Sequence, residues 1–125
     1  MNEEEVLRLC DIIRQIGYNA HAYLKSGYLK HIYVASMYNR LRKAGLMVEP
    51  KAAIRVFDED DTLLGDYVVD LLVAKEILVQ IICKEHILDK DKAIMLGYIK
   101  AAKMRHGLVI NFGAPRYEIS KLVQS

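Results

Sequence analysis

Apolar residues recur at helical intervals near the start of the chain and as dense runs in its middle, and this change of period predicts the elements. Val6, Leu9, Ile13 and Ile16 share one face of a helix. Glu3, Glu4 and Glu5 open it, where the helix dipole favours negative charge. Gly17 weakens the pattern, so the helix either bends there or resumes through Ala20 to Leu24, and Lys25-Ser26-Gly27 reads as a break. A second helix is expected from about Tyr28 to Ala44, with Val34, Met37 and Leu41 as its stripe and Gly45 as its stop. Strands follow at Val48–Phe57, Leu63–Val73 and Ile77–Cys83. Pro50 pushes the start of the first to an edge or entry position. Asp58 to Asp61 is a solvated turn, and Ala74-Lys75-Glu76 a three-residue hairpin loop. The third strand is apolar on both faces except at Gln80, which predicts a central, doubly covered position. A third helix is expected from Asp89 or Asp91 to Arg105, with Ile94, Met95, Tyr98, Ala101 and Ala102 on its inner face. Leu108–Phe112 is a further buried strand, and Tyr117–Val123 a closing element whose type stays open. The order α-α-β-β-β-α-β predicts an α/β sandwich around a mixed sheet.

Composition narrows this reading. A length of 125 residues suits a single domain over 1–125, and 53% apolar with 27% charged residues is globular composition. The net charge of +2 gives no strong electrostatic argument for nucleic acid. No apolar run reaches the roughly 18 residues that a membrane span requires. The acidic, then amphipathic start is not read as a secretory leader. Cys10 and Cys83 lack metal-ligand spacing and sit among apolar neighbours, as reduced core residues of a cytoplasmic protein would.

The chemistry concentrates in the hairpin from Leu63 to Glu85. With a three-residue loop, Val73 pairs with Ile77, and Asp70 then falls opposite Gln80. Ile82 shares the face of Gln80, and Lys84 follows two positions later if the strand continues regularly. Two carboxylates on adjacent strands, with a lysine beyond, would hold a Mg²⁺ and activate a water. Here the second carboxylate is an amide and the nearer lysine position is Ile82. An amide oxygen carries no charge, and Mg²⁺ sheds its water reluctantly, so this is a poor site for it. His21, His31, His86 and His106 show no ligand spacing, and His21 reads as a hydrogen-bonded packing residue. Tyrosines at 18, 23, 28, 33 and 38 turn around the helix and make no single stripe. Arg40, Arg42, Lys43, Lys100, Lys103 and Arg105 read as solvated helix faces.

The chain resembles the GxxExxY family, small members of the PD-(D/E)XK nuclease superfamily, over nearly its whole length. The resemblance rests on Gly27-Tyr28-Leu29-Lys30-His31-Ile32-Tyr33, on Val69-Asp70-Leu71-Leu72-Val73, on Ile77 to Ile82, on Ile94 to Ile99 and on Gly107 to Pro115. It implies a restriction-endonuclease-like sheet and, at five positions, polar site residues. Only Asp70 is retained. Lys30 stands where the family has a glutamate, Gln80 where it has a glutamate, Ile82 where it has a lysine and Ile94 where it has a glutamine. These departures together imply a pseudo-nuclease.

Lys30 shares the inward stripe of Val34, Met37 and Leu41. It either pairs with Asp70, filling the space of a metal, or extends its ammonium to water. Three functions are carried forward. One is an inactive nuclease-like domain that binds a protein partner or itself and has no cofactor. Another is a nucleic-acid-binding module. The last is a divergent Mg²⁺-dependent nuclease using Asp70, Gln80 and Lys84, with Asp70 as metal ligand.

Overall fold

A computed structural model describes residues 1–124. The first helix, α1 (Glu3–Leu24), is nucleated by a capping box: Asn2 Oδ1 accepts from Glu5 N–H at 2.8 Å, while Glu5 Oε1 accepts from Asn2 N–H at 3.3 Å. It runs unbroken through Gly17, which is buried. α2 (Lys30–Lys43) starts two residues later than expected and ends in Arg40, Arg42 and Lys43, charges that suit a helix C-terminus. Gly45 takes φ +83, the left-handed conformation that lets Leu46 N–H return to Leu41 C=O.

Strands β1 (Val48–Phe57), β2 (Leu63–Val73) and β3 (Ile77–Ile82) form an antiparallel meander. α3 (Asp89–Ala102) then crosses over to β4 (His106–Asn111), which pairs parallel to β3, and β5 (Glu118–Val123) closes the sheet antiparallel to β4. The five-stranded mixed sheet has the order β1-β2-β3-β4-β5. The α/β class, the element order and the central place of β3 are as the apolar pattern predicts, and the open closing element is a strand.

Helices cover both faces. On one, α1 and α2 pack Ile13, Tyr33, Met37 and Leu41 against Val79, Ile81, Leu108 and Phe112. On the other, Met95 and Ile99 of α3 pack against Leu78 and Val109. Adjacent residues of β3 and β4 thus feed opposite layers, the reason these strands are apolar on both faces. α3 departs from expectation in its inner face. Asp91, Met95 and Ile99 are buried, whereas Ile94 is 42% exposed. Asp91, Met95 and Ile99 share one stripe at four-residue spacing, which turns Ile94 outward and Asp91 inward. Cys10 is buried as expected, but Cys83 is exposed, because β3 ends at Ile82 and Cys83 lies beyond it. Among the described residues no helix is long and apolar enough to cross a membrane.

The sheet twists sharply at one place. Leu71 and Val73 belong to the α1–α2 layer, but Val69, two residues earlier, belongs to the α3 layer. On β1, Val48 packs with the first layer, and Ala52 and Ile54 with the second. Both strands change sides across Lys51 and Asp70, and Lys51 takes φ +50 there. This kink is where the candidate site lies.

Candidate functional site

The β2–β3 ladder is regular for three pairs, Val73 with Ile77, Leu72 with Leu78 and Leu71 with Val79. Two left-handed residues, Ala74 and Lys75, set that register. At the next position side chains take over from the backbone. Asp70 N–H donates to Gln80 Oε1 at 3.1 Å, and Ile81 N–H donates to Asp70 Oδ2 at 2.8 Å. Asp70 and Gln80 are therefore neighbours across the hairpin, and each side chain satisfies the other strand's backbone. Strands that splay here need such bonds, since a buried N–H left alone is costly.

Lys30, the first residue of α2, reaches the same carboxylate: its Nζ lies 3.1 Å from Asp70 Oδ2. Asp70 is mostly buried and Lys30 is 46% exposed, so the ammonium spans from water to the carboxylate. One turn along, Tyr33 is fully buried and stacks on Phe112 with ring centroids 4.7 Å apart. Its hydroxyl donates to Lys25 C=O and accepts from Tyr28 N–H at 3.1 Å. Tyr33 thus fixes the α1–α2 connection, and with it the position of Lys30. His21 acts similarly, its Nε2 lying 2.9 Å from Ala114 C=O.

The carboxylate is felt by groups on α3 and just after β3. Tyr98 on α3 has its hydroxyl held above the usual phenol range by burial, then by the Asp70 charge and by Tyr67. The thiol of Cys83, although the residue is exposed, is raised by partial desolvation, with Lys30 opposing and Asp70 reinforcing.

Lys84 lies elsewhere. β3 ends at Ile82, the alternation ends with it, and Lys84 Nζ sits 2.6 Å from Asp91 Oδ1 at the start of α3. Burial opposes ionisation of Asp91, but hydrogen bonds from Lys84 and from Leu88 N–H outweigh it and hold the carboxyl below its usual range. Asn111, fully buried on β4, is a second anchor. Its Oδ1 accepts from Lys84 N–H at 3.0 Å and Gly113 N–H at 2.9 Å, and its Nδ2 donates to Lys84 C=O and Glu118 Oε1. Glu118 is held below the usual carboxyl range by Asn111 and by His86. This network clamps the chain after β3. Nothing in the linear sequence joins Lys84 to Asn111 and Glu118, which are brought together only by the parallel pairing of β3 with β4.

The donor set around Asp70 does not fit a hard divalent cation. It offers one carboxylate, whose Oδ2 is engaged by an N–H and an ammonium, and one amide oxygen that already accepts an N–H. Such cations prefer several oxygens, commonly from more than one carboxylate. Among the described residues no three His, Cys, Asp or Glu side chains cluster as a metal site. Ile82 supplies no donor, and Ile94 is exposed on α3.

No curated protein and no solved structure matches this chain. A family model described as the PD-(D/E)XK nuclease superfamily matches residues 8–122, a span that runs from α1 through β5 and includes Asp70 and Gln80. The matched span agrees with the five-stranded mixed sheet flanked by helices. The chain belongs to the PD-(D/E)XK nuclease superfamily.

Proposed function

We propose that this protein is a degenerate member of its superfamily, allied to the GxxExxY family, that acts by binding rather than by cleavage. The observation that carries the reading is the Lys30 ammonium, 3.1 Å from Asp70. A cation of the protein's own then stands where a nuclease would hold a metal ion. In this reading Asp70 is kept for the fold: it closes the splayed hairpin through Ile81 N–H and takes its counter-charge from Lys30. Gln80 serves the same junction, and Lys84 belongs to the clamp on α3.

Association with a protein partner or with a second copy is the binding mode we favour. Beyond the kink the β1–β2 hairpin presents Leu64, 61% exposed, and Val68, 54% exposed, on a face the helices do not cover. Exposed apolar surface of this kind marks interaction sites. A cleavage assay on DNA and RNA with Mg²⁺ or Mn²⁺, with Asp70→Ala as control, tests the reading. The expected result is no metal-dependent cleavage above that of the variant. Cleavage that requires Asp70 overturns the reading in favour of a divergent nuclease. Light scattering over a concentration series reports self-association, and salt-dependent retention of oligonucleotides would point to a nucleic-acid-binding module instead.

A further inference from the structure

A cavity of about 650 Å³ opens between α2 and the kinked β1–β2 pair, beside Asp70. This volume lies within the roughly 300–1,000 Å³ range of small-molecule sites. Val34, Ala35, Tyr38 and Pro50 give it mostly apolar walls. Its polar edge is cationic. Lys30, His31 and Lys51 line it, and Asp70 is the only acid there. That carboxylate takes one Lys30 contact, and an ammonium has three N–H donors, so Lys30 keeps donors to spare. Lys51 forms no ion pair among the described residues. It also holds φ +50 inside a strand, opposite Asp70, a conformation that costs a non-glycine residue energy and clusters at binding sites. The site thus joins an apolar body-shaped space to an uncompensated positive charge.

We propose that this groove binds a small organic anion, an apolar body bearing one carboxylate or phosphate, with Lys51 and the spare donors of Lys30 on the anionic head. The body lies along Val34, Ala35, Tyr38 and Pro50. The inference rests on the reading of the Asp70 centre as one occupied by an ammonium, because a metal at Asp70 would displace Lys30. The metal-dependent cleavage assay reports on that reading separately, and loss of probe binding without any cleavage would sink this inference alone.

The test uses two fluorescent probes on the full chain that share an aromatic body and differ in charge: 8-anilino-1-naphthalenesulfonate and neutral N-phenyl-1-naphthylamine. Saturable one-to-one binding of the sulfonate is expected. Lys51→Glu, an exposed position, should weaken the sulfonate roughly tenfold and leave the neutral probe unchanged, a change of about one decade for reversing one contacting charge. Ala35→Trp, also at an exposed position, should fill the groove and abolish both, with unaltered far-UV circular dichroism. If that variant does not fold, Ala35→Leu gives the same readout in weaker form. Displacement of the sulfonate by octanoate or by octyl phosphate supports the proposal and tells which head is preferred. Absence of saturable binding overturns it. So does binding that survives Ala35→Trp or ignores Lys51→Glu, and so does displacement by an oligonucleotide but by neither amphiphile.

Discussion

Replacing Asp70 by alanine removes two interactions of different weight, and the structure ranks them. Asp70 Oδ2 accepts from Ile81 N–H at 2.8 Å and lies 3.1 Å from Lys30 Nζ. Ile81 is fully buried, so its orphaned N–H costs about 1–3 kcal/mol. Lys30 is 46% exposed, which places the ion pair in the surface range of about 0–1 kcal/mol. Asp70→Ala should therefore cost about 1–4 kcal/mol, and Lys30→Met at most about 1 kcal/mol. Asp70→Asn retains an oxygen for Ile81 N–H and should resemble Lys30→Met. Urea unfolding of the three variants and of the Lys30→Met/Asp70→Ala double variant gives these values, provided the m-values agree. The coupling between the two residues should be about 0.5 kcal/mol. Equal losses from Lys30→Met and Asp70→Ala would refute the ranking. A gain in stability from Asp70→Ala would refute the structural role altogether, since it would mark a carboxylate held at the fold's expense for catalysis.

Further outcomes follow from the same contacts. Asn111→Ala removes four hydrogen bonds at about 0.5–1.5 kcal/mol each, with water replacing some, so a loss of about 2–4 kcal/mol is expected by chemical denaturation. Gly17→Ala places a methyl group against the Tyr117 hydroxyl, which donates to Arg14 C=O; a destabilisation of about 1–3 kcal/mol should appear as a lowered Tm with the helical spectrum retained. Asp91 and Glu118 have carboxyls held below their usual range in the folded state. Their contribution is complete above the unfolded-state values near pH 4 and is lost as pH falls through the folded-state values. Asp91→Asn should flatten the acid side of a stability-against-pH curve, measured by thermal melts from pH 6 downward.

Much of the fold is legible because period and punctuation agree. The three strands from Val48 to Ile82 are bounded by turn residues, and the run Ile77 to Ile82 is, except at Gln80, apolar on both faces because helices lie on both. Gly17 misleads locally: a glycine inside a helical pattern reads as a weak point, whereas here Tyr117 of the β4–β5 connection packs against it. Cys83 misleads because it lies just beyond the end of β3, and Ile94 because it and Met95 are adjacent apolar residues of which the helix buries only Met95. At the site, the proximity of Asp70 and Gln80 follows from loop length alone. The kink at Lys51, the clamp around Asn111 and the groove against α2 do not. Each is made by segments far apart in the chain and depends on how the layers pack.

The central claim is that Asp70 holds a lysine and not a metal. A crystal structure of the protein grown in Mn²⁺ tests it most directly. Lys30 Nζ is expected in contact with Asp70 Oδ2, with no anomalous peak beside that carboxylate. An anomalous peak within bonding distance of Asp70, with Lys30 displaced, would contradict it.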